Sequence, residues 1–197
     1  PEVKVTPGGQ KVATFSVAQG DTIGVGDQVV AGSNTYYLTG RGSSTVYGVS
    51  TRTGGMAADL ASTAVTSIKR AFNTLSAAET GSSDSTHLGT QALTTANVTL
   101  NWALYKDGNF TGVLTIDGYT TDSSRFLRLF VPSSSQEVGT SQRHTGREGT
   151  GARIKPNTLT AAGYVIEITD DNVRLQGIEI DGSDIVAGDS GGIALMS

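Results

Sequence analysis

Cysteine is absent from the 197 residues, histidine occurs twice, proline four times, and aromatic residues make up only 6%. Each shortage removes a class of protein. Without cysteine there is no disulfide framework, thiol nucleophile or Cys-based metal site, and two histidines argue against a His-rich metal centre. Charged residues are 16% of the chain and the formal net charge is −4. The basic face that a nucleic-acid or anionic-membrane binder needs is therefore not expected. No run approaches the ~18 to 20 apolar residues that span a bilayer. The apolar fraction of 37% is nonetheless too high, and the charge too small, for an acidic disordered tail. What the chain has in abundance is small and polar: 26 Gly, 20 Ser and 27 Thr. This composition fits a turn-rich, mainly β protein with a repetitive or extended architecture.

The length allows one core or two. Over residues 1–54, Val12, Thr14, Ser16 and Ala18 interleave with Ala13, Phe15 and Val17. The runs 22–30, 35–39 and 45–50 follow, joined by Gly- and Asn-rich connections that suit hairpins. We expect a small antiparallel β module here, acting as a docking unit. Residues 55–96 read as a helical linker or cap, because Ile68, Ala71, Phe72 and Leu75 fall at i, i+3, i+4 and i+7. That spacing predicts one capping helix over 62–79, with Gly81 offering a stop.

From 97 onward the pattern is strand again. Val98, Leu100, Trp102 and Leu104 alternate with Asn97, Thr99, Asn101 and Ala103, and further strands are expected at 113–116 and 125–131. Residues 132–151 are polar and Gly-rich and read as one long loop. Pro132 and Pro156 mark strand ends. In the last third, short strands recur at 152–155, 164–168, 173–175, 178–180 and 193–195. Three of them carry two apolar residues around one polar residue: Ile166/Ile168, Val173/Leu175 and Ile178/Ile180. A strand of three to five residues buries little alone, so these are expected to stack on copies of themselves.

The string from Asp170 to Gly182 (DDNVRLQGIEIDG) resembles a rung of the right-handed parallel β-helix family, the pectate-lyase-like fold. The resemblance covers 152–197 well and 97–131 more loosely. The stretches 102–108, 116–122 and 141–146 are similar to the opening region of viral or bacterial proteins of that family. It implies strand–turn–strand rungs around an apolar interior, with the helix at 62–79 plugging the first rung, so that 97–197 is the start of a β-helix. Family members include bacteriophage tailspikes and fibres, surface adhesins, and polysaccharide lyases and hydrolases. A first residue that is Pro1, and a last strand at Ile193–Met196 with nothing to cover it, lead us to expect part of a longer polypeptide or an end capped by a neighbouring subunit.

Two patterns invite a chemical reading. Gly188-Asp189-Ser190-Gly191-Gly192 is the string around the nucleophile of chymotrypsin-like proteases. There the hydroxyl needs a His base and an oxyanion hole. The Ala-Ala-His context is replaced by Ala161-Ala162-Gly163, His87 and His144 lie in polar turns, and only five residues follow Gly192. A Gly/Asp/Ser turn between rungs explains the string as well. The acidic residues Asp170, Asp171, Asp181, Asp184 and Asp189 recur in the same turns. Paired carboxylates on stacked rungs can hold Ca²⁺ or act as acid and base on a glycosidic bond, but Asp is also an ordinary turn former. Glu167 and Glu179 read as solvated. The loop 139–151, with Arg143, His144 and Arg147, lacks the strand-to-helix context of a phosphate loop and reads as a contact to a neighbouring subunit.

No catalytic, cofactor-binding or metal residue is assigned. The leading expectation is a structural protein of a virion or an extracellular surface (a fibre, spike or decoration component) that works by homo-oligomeric assembly. Its partners would be copies of itself and other virion or surface proteins. The alternative is a polysaccharide-binding or polysaccharide-cleaving enzyme on the same fold, with a glycan as partner.

Overall fold

The computed structural model describes residues 1–6, 11–157, 163–185 and 190–196. The chain forms two compact units, Pro1–Ala71 with Pro132–Gln142, and Phe72–Val131 with Arg143–Ser197. These bounds differ from the sequence-based divisions at 54 and 96.

The first unit holds strands β1 (Glu2–Thr6), β2 (Val12–Phe15), β3 (Asp27–Ala31), β4 (Asn34–Arg41), β5 (Val46–Ser50) and β6 (Leu60–Arg70). They close into an antiparallel barrel in the order β1-β2-β5-β4-β3-β6. Period-two alternation decides what fills it: Val3, Val5, Ala13, Phe15, Val29, Ala31, Tyr36, Leu38, Tyr47 and Val49 are buried. The β3–β4 hairpin pairs Ala31 with Asn34 across a two-residue loop. Gly32 takes φ +58° there, a conformation for which glycine has no steric penalty.

Of the helix expected over 62–79, only residues 75–79 are helical. Residues 60–70 are an eleven-residue strand that pairs with both β1 and β3 and so closes the barrel. Thr63, Val65, Thr66 and Ile68 are β-branched, and two flanking strands satisfy the backbone. A helix in their place would leave two open edges. Helical structure starts only after Thr74, whose hydroxyl accepts from the Ala77 amide at 3.0 Å.

The segment 132–142, read as part of one long loop over 132–151, is bonded to the barrel. Val25 N donates to Glu137 O at 2.9 Å, Arg41 N to Gln136 O at 2.7 Å and Thr140 N to Asp21 O at 2.8 Å. Val138 is buried beneath it and bridges to Gly24.

Tyr47 stands edge-on to Phe15, with centroids 5.6 Å apart, and is fully buried with its hydroxyl unpartnered. A buried hydroxyl without a partner opposes folding. Tyr47→Phe is therefore expected to hold or raise stability by up to about 1–2 kcal/mol. A lowered denaturation midpoint would contradict that.

The second unit contains α1 (Leu75–Ser82), α2 (Leu93–Ala96), β7 (Leu100–Ala103), β8 (Asn109–Phe110), β9 (Leu114–Ile116), β10 (Leu127–Phe130), β11 (Arg153–Ile154), β12 (Gly163–Ile168), β13 (Val173–Gln176), β14 (Glu179–Ile180) and β15 (Ser190–Leu195). Among the described residues these strands form three parallel sheets, β7-β10-β13, β8-β11-β14 and β9-β12-β15. Three successive stretches of chain each give one strand to each sheet, in the same order. Their registers build apolar ladders: Leu100–Leu127–Val173, Trp102–Leu129–Leu175, Phe110–Ile154–Ile180 and Leu114–Ile166–Ile193. Each buried Leu or Ile contributes about 1.5–3 kcal/mol. Leu127, Leu129, Ile154 and Ile166, the middle members, are fully buried, whereas Ile193 is 46% exposed and its neighbour Leu195 79%. The helix α1 packs on β9 and adds Leu75 and Ala78 to this core. β8 is a strand of only two residues.

Candidate functional site

The outward side of β8-β11-β14 carries a cluster of polar and charged side chains centred on Arg153 and Lys155. Register places Arg153 between Asn109 and Glu179 on neighbouring strands, with Phe110, Ile154 and Ile180 on the adjoining positions that join the core. Arg153 Nε and Nη2 donate to Asn109 Oδ1 at 3.2 and 3.1 Å, and Nη1 donates to Asp181 Oδ2 at 3.0 Å. Glu148 and Glu179 also lie within reach of Nη1, at 3.7 and 4.0 Å. Lys155 Nζ reaches Asp181 Oδ2 at 3.1 Å, Asp184 Oδ2 at 3.3 Å and Ser183 Oγ at 2.7 Å.

Beside this network is an open cleft of about 300 Å³ lined by His144, Gly146, Arg147, Glu148, Glu179 and Ile180. Its loop wall is held by Thr145 N donating to Thr150 Oγ1 at 3.0 Å, and by Gly151, where a Cβ would run into the His144 backbone. Glu179 Oε1 accepts from the Gly149 amide at 2.7 Å, while its Oε2 is buried without a hydrogen-bond partner.

Lys155 bridges Asp181 and Asp184, and Asp181 is also engaged by Arg153 and Ser183. The Ser183 hydroxyl and amide, with the Lys155 ammonium, hold the Asp181 carboxyl well below the usual carboxylate range. Asp181 and then Asp184 push the Lys155 ammonium upward in turn. A carboxylate fixed in its ionised form is poorly suited to proton transfer near neutrality. Because the folded-state pKa is depressed, the stabilisation is complete above the unfolded value of about 3.9 and disappears as pH falls through the folded value. Denaturation midpoints measured on acidification below about pH 4 should fall less steeply in Asp181→Asn than in the wild type. Parallel slopes would show that Asp181 is not the group responsible.

The other candidates lie elsewhere. Asp170 accepts from the Gly118 and Tyr119 amides at 2.8 and 2.9 Å and so pins a turn. Burial pushes its carboxyl up, against those two amides. The Asp171 carbonyl accepts from Thr121 Oγ1, and Glu167 sits in register with Thr115 and Ala194. Gly188 and Asp189, and also Ala161 and Ala162, lie outside the described residues. Ser190 opens β15, and its hydroxyl is buried with no hydrogen-bond partner, so no histidine is bonded to it. His87 instead stacks on Phe72 at 4.4 Å, and His144 Nδ1 accepts from the Gly146 amide at 3.3 Å. The triad geometry that a serine nucleophile needs is not assembled.

Sequence reasoning missed Glu148, Glu179, Arg153 and Asn109 as a group. Their separation along the chain hides them, and only the parallel register joins them. Among the described residues no group of three or more His, Cys, Asp or Glu is arranged to hold a metal, and no helix is long and apolar enough to cross a membrane. Comparison with family models, with curated proteins and with solved structures finds no match.

Proposed function

We propose that the second unit is the beginning of a right-handed parallel β-helix, and that the protein is a structural component of a virion or surface fibre or spike, working by homo-oligomeric assembly. The observation that carries this reading is the threefold repeat of strands in fixed order, stacked so that apolar ladders run from rung to rung. Such stacks form stiff shafts whose stability comes from neighbouring rungs. Exposed Ile193 and Leu195, with Tyr164 41% exposed, offer apolar area on one sheet for a second copy. The cleaving alternative has less support, because Asp181 is engaged by Arg153, Lys155 and Ser183. Light scattering on the size-exclusion peak of the intact chain is the test. A mass that is an integer multiple of the chain is expected, and a monodisperse monomer at every concentration overturns the assembly reading. Electron microscopy of the native particle then separates virion from cell-surface filament.

A further inference from the structure

We propose that the cleft beside sheet β8-β11-β14 binds a small aliphatic zwitterion, a free α-amino acid or a dipeptide. Glu179 and Glu148 take its ammonium group, and Arg147 and His144 take its carboxylate. Around Arg153, four carboxylates (Glu148, Glu179, Asp181 and Asp184) share two cations, Arg153 and Lys155. Arg153 Nη1 lies 3.0 Å from Asp181 but 3.7 and 4.0 Å from Glu148 and Glu179, so the last two carry most of the negative surplus. The Glu179 side chain is only 14% exposed. Its Oε1 accepts from the Gly149 amide, whereas its Oε2 is buried with no hydrogen-bond partner. An acceptor shielded from water and left unbonded loses its hydration without return. A ligand ammonium, with three N–H donors and a positive charge, supplies both of the things this wall lacks.

The loop wall supplies the opposite sign. Among the described residues, no carboxylate lies within ion-pair distance of the Arg147 guanidinium. Its backbone is nevertheless fixed, because the Thr150 hydroxyl donates to Arg147 O at 2.7 Å and accepts from the Thr145 amide at 3.0 Å. His144 Nδ1 accepts from the Gly146 amide, which in the neutral ring leaves the proton on Nε2 as a donor. A guanidinium fork and an imidazole N–H lining one cleft suit a carboxylate. Ile180, packed against the core, adds an apolar wall for an aliphatic side chain. The volume of about 300 Å³ is at the small end of ligand sites and suits one or two residues. A zwitterion has no net charge, so the chain's own −4 neither attracts nor repels it, and the local pairing decides. Every group named belongs to one chain, so binding does not depend on assembly.

Nuclear magnetic resonance of the ¹⁵N-labelled full chain, titrated with leucine and with glycyl-leucine, tests this. One of them should shift the Gly146 and Gly149 amide signals with a Kd of about 1 mM or tighter. The better binder fixes the spacing between the ammonium and carboxylate sites. Its amide, which lacks the carboxylate, and its N-acetyl form, which lacks the ammonium, should each bind about tenfold more weakly or worse. Arg147→Gln should bring the zwitterion down to the level of its amide and leave the amide unchanged. Glu179→Gln keeps an acceptor for the Gly149 amide, and should bring the zwitterion down to the level of its N-acetyl form while leaving that form unchanged. Arg128→Gln, on another sheet, should alter none of these. No shift with either zwitterion at about 50 mM overturns the proposal. So do blocked forms that bind as well as the parent, or cleft variants that weaken parent and blocked forms alike.

Discussion

Asp27→Ala is expected to lower the stability of the barrel by about 3–5 kcal/mol, the usual cost of removing one partner of a buried ion pair. Asp27 is fully buried, its Oδ1 lies 2.6 Å from Arg70 Nη1 and its Oδ2 accepts from the Gly24 amide at 2.9 Å. The pair ties β3 to β6, at one of the two seams that β6 closes. Truncation leaves a guanidinium with its principal counter-charge gone and an amide with its acceptor removed. Asp27→Asn keeps an acceptor for Gly24 and should fall between the two. Urea titration followed by far-ultraviolet circular dichroism measures both. An alanine variant within about 1 kcal/mol of the wild type would show that water replaces the carboxylate without penalty.

Leu129→Ala should cost the second unit about 2–5 kcal/mol, the sum of lost burial and an unfilled cavity. Leu129 is fully buried at the middle of its ladder, in register with Trp102 on one side and Leu175 on the other. Trp102 is not free to swing into the gap, because its Nε1 donates to buried Ser82 Oγ at 2.8 Å. Trp102 is the one tryptophan of the chain, so its fluorescence reports on the altered core directly. The end-of-ladder substitution Leu195→Ala should cost far less, since that side chain is already 79% exposed. Equal losses at the two positions would contradict a core that is tight at its middle rung and open at its last.

How far local pattern carries can be seen in particular segments. Ile166/Ile168 and Val173/Leu175 were legible as short strands needing neighbours, because period two is written in adjacent residues. The strand at 60–70 was not. Ile68, Ala71, Phe72 and Leu75 satisfy helical spacing, and only the empty place between β1 and β3 turns residues 60–70 into a strand. The segment 132–142 gives no sign in its own residues that its backbone bonds return to Asp21, Val25 and Arg41.

The chain's own composition and alternation determined that the protein is mainly β, rich in turns and free of thiol chemistry. These properties depend on residue identity and near neighbours alone. Tertiary structure decided what required distant residues to meet: the barrel closed by β6 and the Arg153–Asp181–Lys155 network. Parallel strands bring together residues tens of positions apart, and no local propensity encodes which of them will share a face.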